Sequence, residues 1–208
     1  ELKAIVSKGY RNPTIRELYM FSANPELSPE RLMNYELSFS QSIMDGALSY
    51  SANIYYINGD NMIKALPDKD GRMQNINTGK IKNWGAEATV AYRINPIWNL
   101  SANYSWLHME NPVVAAPEHK LFFGVDYVKG RWSASSGIQY VKGLYTSVTA
   151  NNEKQESFWL WNLRGSYRLC SYAHLFVKGE NLLAQRYEIN AGYPMPKATF
   201  MGGVQLNF

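Results

Sequence analysis

The 208-residue sequence predicts an all-β chain, an antiparallel up-and-down transmembrane β-barrel wall of about ten strands. Two observations carry this. Apolar and polar residues alternate over stretches of about ten residues, and very short turns and much longer polar loops join these stretches in strict alternation. Leu48, Tyr50, Ala52, Ile54 and Tyr56 interleave with Ser49, Ser51 and Asn53; Leu100, Ala102, Tyr104 and Trp106 interleave with Ser101, Asn103 and Ser105. A period of two is that of a strand, and about 9 to 11 tilted residues cross a bilayer.

The expected strands are 1–10, 33–44, 47–57, 83–93, 98–108, 119–128, 131–142, 157–168, 173–182 and 198–208, with the third and fourth extending into 61–82. Asp45-Gly46, Asn95-Pro96, Lys129-Gly130 and Cys170-Ser171 make tight connections from residues that favour turns or tolerate positive φ, and are expected on one rim. The long connections 11–32, 67–80, 109–118, 143–156 and 183–197 are expected on the opposite, outer rim.

Charge placement gives an independent check, because Arg or Lys facing lipid at the midplane costs about 2 to 4 kcal/mol. In the second strand Glu36 is out of phase with Tyr35, Leu37 and Phe39. In the fourth, Glu87 is out of phase with Trp84, Ala86, Ala88 and Val90, and in the sixth Asp126 with Leu121, Phe123, Val125 and Tyr127. Arg164 and Arg168 avoid the phase of Trp159, Trp161 and Leu163, and Lys178 and Glu180 that of Leu175 and Val177. Glu36, Glu87, Asp126 and Arg164 are therefore expected in the barrel interior. Lys142 shares the parity of Ile138 and Tyr140 and fits only at the rim. Tyr55-Tyr56, Tyr92, Trp98, Trp106, Tyr127, Trp132, Tyr140 and Tyr167 fall near strand ends, where amphipathic rings suit the headgroup level.

Composition removes several classes. No stretch approaches the roughly 18 apolar residues of a membrane helix. Net charge is +4, but Lys and Arg are scattered, without the basic stripe of a nucleic-acid binder. The one cysteine, Cys170, is an incidental turn thiol. His108, Met109 and His119 are too dispersed for a metal site, so no metal and no cofactor is expected. No Gly-x-Ser-x-Gly elbow is present and no enzyme is expected. The start at Glu1, without a basic and apolar leader, suggests a removed signal peptide or an internal fragment. The rival fold is a soluble carbohydrate-binding β-sandwich, which would bury the Leu100, Tyr104 and Trp106 face.

Several blocks together resemble the TonB-dependent outer-membrane receptors: Ser7 to Tyr19, Asn24-Pro25-Glu26-Leu27-Ser28-Pro29-Glu30, Asn34-Tyr35-Glu36-Leu37, Gly85-Ala86-Glu87, Ala116-Pro117-Glu118-His119-Lys120-Leu121, Glu180-Asn181-Leu182 with Tyr187, and Gly192-Tyr193-Pro194-Met195-Pro196. The last strand resembles the terminal strand of outer-membrane proteins, with Gly203, Leu206 and a final Phe208 as the signal read by the assembly machinery. Met201 departs from the polar residue of that pattern.

The resemblance implies that residues 1–208 form the C-terminal part of a larger, 22-stranded barrel whose plug domain and coupling box are absent here. It also implies a location in the outer membrane of a Gram-negative bacterium, among its lipid, and coupling to the TonB system through the plug. The implied activity is uptake of a small-molecule metal chelate. The lack of His between Arg11 and Pro29 disfavours haem, and the compact loops favour a siderophore or cobalamin over glycans. Arg11, Arg16 and Tyr19, in the first outer loop, offer cationic and aromatic groups to an anionic chelate. Glu36 and Glu87 are expected to pair with cations of the plug or of neighbouring strands.

Overall fold

The computed structural model describes residues 1–67, 69–149 and 152–206. The strands are β1 (Leu2–Arg11), β2 (Glu30–Ile43), β3 (Leu48–Pro67), β4 (Met73–Arg93), β5 (Trp98–Met109), β6 (Pro117–Lys129), β7 (Trp132–Thr149), β8 (Asn152–Arg168), β9 (Ala173–Glu180) and β10 (Thr199–Leu206), with a short helix α1 (Ile15–Tyr19) between β1 and β2. All ten lie in one antiparallel sheet in the order of the sequence. Among the described residues no ladder joins β10 to β1, so the sheet has two open edges. Such edges leave a row of unpaired backbone groups that need pairing partners in hydrocarbon.

The turns expected on one rim are tight because their residues accept left-handed backbone. Met44, Asp45 and Gly46 stand at φ 56°, 52° and 80°, and Gly130 at 61°. Asn95 closes its turn through a side chain that accepts the amides of Ile97 at 2.9 Å and Trp98 at 3.0 Å.

Register carries one apolar face across the sheet without a break. Leu37, Ile54, Ala86 and Trp106 are successive cross-strand partners, as are Tyr104, Leu121, Tyr140 and Trp159. A slip of one residue anywhere would turn this face over. Two aromatic bands bound it. Tyr35–Tyr56, Trp84–His108 and Tyr140–Trp159 lie toward the long loops, with centroids 6.3, 4.1 and 4.4 Å apart; Trp98–Tyr127 and Trp132–Tyr167 lie toward the tight turns, at 4.8 and 4.6 Å.

Trp84 to Tyr92, Trp106 to Trp98, Tyr140 to Trp132 and Trp159 to Tyr167 are each separated by the same interval. That interval is about 26 Å along a strand and roughly 20 Å along the membrane normal at a ~40° tilt, close to the apolar band of a membrane barrel. Between the bands this face carries no charge: Ala86, Ala88 and Val90 on β4, Leu121, Phe123 and Val125 on β6, Trp161, Leu163 and Gly165 on β8.

The sandwich alternative fails here, because no second sheet covers the apolar face among the described residues. Tyr104 is 38% exposed, Val204 58% and Leu206 56%. The small buried cluster, Val141, Leu144 and Phe158, lies at the outer end of β7 and β8.

Several sequence expectations are corrected. Residues 143–156 are not an outer loop: β7 runs to Thr149 and β8 starts at Asn152. This hairpin projects past the outer aromatic band, beyond the hydrocarbon that imposes strict alternation, and one of its faces is covered by Tyr187 and Ile189 over Val141, Leu144 and Phe158. Bulges between Val141 and Leu144 and between Tyr145 and Ser147 obscure the period further. The connection expected over 67–80 is shorter, because β4 already begins at Met73, and the first outer loop contains α1. Tyr55 does not join the aromatic band; it has the opposite parity to Tyr56 and lies on the polar face, opposite Glu36 and Gly85. Lys142 is on the apolar face as its parity requires, but two residues beyond Tyr140 and beside the Gly143 bulge, at φ 67°.

Candidate functional site: the polar face and outer rim

The face opposite the aromatic bands carries Glu36, Glu87, Asp126 and Arg164. Glu36 pairs across the sheet with Tyr55, and Glu87 with Asn53 and Ser105. Asp126 and Arg164 flank Ser135 on adjacent strands, and Lys178 follows Arg164. Lys178 is held by Glu180 at 2.6 Å, and the Arg164 guanidinium sits 5.4 Å over the Phe176 ring. Among the described residues neither Glu36 nor Glu87 has an ion-pair partner. Nearby, the Asn34 and Asn53 side-chain oxygens are buried without a hydrogen bond. This stretch of wall is rich in acceptors and open to donors from outside the chain.

Three aromatic rings on this face lie flat against glycines. A Cβ on Gly85 would stand 2.5 Å from the Tyr55 hydroxyl oxygen; on Gly124 and Gly137, 2.9 and 2.8 Å from the Phe122 ring; on Gly203, 3.0 Å from Phe176. Only glycine leaves room for these rings. Gly203, expected as part of the assembly signal, thus seats Phe176. Leu206 is an exposed residue of β10, and Phe208 falls outside the described residues.

The outer rim is organised by the first loop. Thr14 caps α1: its hydroxyl accepts the Glu17 amide at 3.3 Å while the Glu17 carboxylate accepts the Thr14 amide at 2.8 Å. Arg11, at the end of β1, clamps the arrangement. It donates to Glu30 at 2.5 and 2.6 Å and to Glu17 at 3.0 and 3.1 Å, one guanidinium spanning two carboxylates. The Arg11 bonds, helped by the Thr14 amide, hold the Glu17 carboxyl at about 2, well below its usual range. Glu30 is 7% exposed and also accepts the Ile63 amide at 2.9 Å.

Two asparagines strap this loop to the raised part of β4. Asn75 donates its amide to Ser22 at 2.7 Å and its side chain to the Glu17 and Phe21 carbonyls. Asn77 accepts the Ser28 amide at 2.7 Å and donates to the Ser28 and Asn61 carbonyls. Arg16 and Tyr19 are left exposed on this fixed platform. The Arg16 guanidinium lies 5.0 Å over the Phe21 ring, and Ile15, Tyr19, Met20 and Phe21 form an apolar patch around it. The three residues expected to meet ligand are thus neighbours with different surroundings: Arg11 is engaged by two carboxylates, whereas Arg16 and Tyr19 are open.

A second segment closes over β7 and β8. Asn181, 6% exposed at φ 49°, accepts the Gln185 amide and donates to the Gln185 and Pro196 carbonyls at 2.9 and 3.0 Å. Tyr187 packs on Phe158 with centroids 4.2 Å apart. Burial pushes its phenol up from the ordinary value, and Glu180 adds to the effect. Glu156 accepts the Glu188 amide at 2.7 Å. The anchors Asn75 and Asn77 carry no sequence signal; Asn181 falls in one of the family blocks. His108 and His119 are on the apolar face, and no group of three metal-ligating residues occurs among the described residues.

A family model described as "TonB dependent receptor-like, beta-barrel" matches residues 2–182. The vitamin B12 transporter BtuB of Photobacterium profundum is 23% identical over 220 residues, covering all of this chain and 35% of that protein. Among solved structures, the copper transporter OprC superposes with a TM-score of 0.81 at 20% identity, over all of this chain and 37% of its own. A mutant of the ferric enterobactin receptor PfeA of Pseudomonas aeruginosa superposes with 0.82 at 18% identity, over 100% and 38%. At these identities the structural likeness establishes the fold alone. The chain spans about a third of the length of the proteins it matches. The family is one of receptors and transporters of the Gram-negative outer membrane, not of enzymes, so the apolar face with its two aromatic bands is the lipid-facing side. The chain belongs to the TonB-dependent receptor family and corresponds to the C-terminal part of its outer-membrane β-barrel.

Proposed function

We propose that this barrel segment belongs to an importer that takes up a metal chelate, an iron-siderophore or cobalamin, across the outer membrane with energy delivered through TonB. The observation that carries the reading is the fixed platform on the outer rim. Arg16, Tyr19 and Phe21 are exposed on a loop held by two carboxylates and two asparagines, so a ligand meeting them costs little ordering entropy. The cation and flat rings suit an anionic chelate with aromatic or extended apolar parts. Arg11 contributes by fixing the helix that presents Arg16 and Tyr19.

The polar face then forms the interior of a larger, 22-stranded barrel that closes the two open edges. Glu36, Glu87 and the unpaired Asn34 and Asn53 oxygens suit donors of a plug domain inside it. Asp126 and Arg164 line the same interior, nearer the periplasm. Gly203, Leu206 and Phe208 are proposed as the strand read by the assembly machinery.

The test is uptake and equilibrium binding by the full-length receptor, offered ferric siderophores and cobalamin in turn. Arg16→Ala and Tyr19→Ala should each weaken binding of the transported chelate about tenfold, as loss of one charge-assisted or aromatic contact does. Deleting TonB should abolish uptake but not binding. A receptor that binds none of these chelates, or binds one equally well in both variants, overturns the reading.

A further inference from the structure

We propose that a dent in the lipid-facing surface of β8–β10 holds an acyl chain of an inner-leaflet phospholipid in one fixed position. Gly165 and Gly202 lie on either side of Val177 in one cross-strand row, and Ala134 extends that row to β7. In the next row toward the outer rim, Gly179 stands between Leu163 and Phe200. All of these share the parity of Trp161 and Leu163, so the dent opens toward lipid. It encloses about 610 Å³ and is walled by Leu163, Val177, Leu182 and Phe200.

Two of its glycines have no task within the chain. A Cβ on Gly165 would come no nearer than 3.8 Å to Val177, and one on Gly202 no nearer than 3.5 Å to the Phe176 carbonyl oxygen, both ordinary contacts. Neither stands in left-handed backbone. Gly85, Gly124, Gly137 and Gly203, by contrast, make room for rings on the polar face. Two residues inside the inner aromatic band, β4, β5 and β6 carry Val90, Leu100 and Val125 on the outward face; β8 carries Gly165. Two residues are about 5 Å along the membrane normal at a ~40° tilt, so the dent faces the inner leaflet.

An unfilled dent forfeits dispersion contacts on its open side, and within hydrocarbon only an apolar group can fill it. The missing strands continue the sheet in its own plane and the barrel interior lies behind the wall, so the occupant comes from the membrane. Ala134 and Val177 flank Gly165 from strands about 9 to 10 Å apart, and their side chains narrow the opening further. A helix is about 10 to 12 Å across and packed sheets stand about 10 Å apart, so neither enters. A single hydrocarbon chain does.

The test uses the full-length receptor in phospholipid vesicles doped with a phosphatidylethanolamine that carries a diazirine on its acyl chain. After irradiation, lipid adducts should concentrate at Leu163, Val177 and Phe200, several-fold over Leu121, Phe123 and Val125. Gly165→Leu combined with Gly202→Leu fills the dent and should bring the three sites down to the β6 level, while unchanged adducts on β6 report an intact barrel. Ala88→Leu adds bulk to the same face on β4 and should leave the pattern as in the parent. Even labelling of β6 and β8–β10 in the parent would reduce the dent to ordinary contact with bulk lipid and overturn the proposal. So would an unchanged pattern in the double variant, or capture of a second receptor copy rather than lipid by a photoreactive residue at position 200.

Discussion

Replacing Arg11 by Met removes the guanidinium that spans Glu17 and Glu30 while keeping most of the aliphatic stem. The Glu30 carboxylate, on a residue only 7% exposed, then keeps the Ile63 amide and loses both of its guanidinium bonds. Removing one partner of a buried pair costs about 3 to 5 kcal/mol; Arg11 itself is 45% exposed at its side chain, so solvent screening reduces this to about 2 kcal/mol. The loss should be local, because Arg11 and Glu30 are the last cross-strand partners at the outer end of the β1–β2 ladder and the clamp ties the following loop to that end. Hydrogen exchange reads it directly at Leu18, Met20 and Asn24, whose amides donate to Thr14, Arg16 and Glu17. About 2 kcal/mol corresponds to roughly thirtyfold faster exchange at those amides, with the β5–β7 amides unchanged. Glu30→Met in the same background should recover part of the protection, since it removes the stranded charge. Unchanged exchange in Arg11→Met, or an equal loss throughout the sheet, would refute the clamp.

The same clamp has a pH signature. The Glu17 carboxyl is lowered from 4.5 to about 2, so its stabilisation is fully present above about pH 4.5 and is lost as pH falls toward 2; loop protection in the parent should follow that window, and Glu17→Gln should leave only the part that comes from Glu30, which the same guanidinium also holds low. Gly137→Ala should cost about 1 to 3 kcal/mol in urea unfolding by displacing the Phe122 ring, and should be nearly neutral in a Phe122→Ala background. Asn181→Ala removes contacts to Gln185 and Pro196 and should cost about 2 kcal/mol, seen as protease cleavage within 183–197 while the strands stay resistant.

What was legible in the sequence is what the membrane constrains. Between the aromatic bands outward residues are uncharged and mostly apolar, so alternation marks the strands and places Glu36, Glu87, Asp126 and Arg164 on the other face. Above the outer band that constraint ends. Residues 143–156 read as a polar loop because beyond the hydrocarbon the outward side need not be greasy and bulges break the period, yet Leu144, Tyr145, Val148 and their neighbours are strand formers. Helix α1 did have a local signal: Thr14 followed three residues later by Glu17 is a capping box, short enough to be lost inside a long loop. Tyr55 was misplaced because Tyr belongs equally to a belt and to a glycine-floored wall; its phase against Tyr56 decides between them. The straps through Asn75 and Asn77 join residues about fifty positions apart and leave no local pattern.

The central claim is that alternate residues of each strand face hydrocarbon and the barrel interior. Spin labels placed one at a time from 121 to 126 on β6, in a Cys170→Ser full-length receptor reconstituted in bilayers, test it most directly. The account predicts high oxygen accessibility at Leu121, Phe123 and Val125 and low accessibility at Phe122, Gly124 and Asp126, with a period of two. The reverse phase, or no alternation, would contradict it.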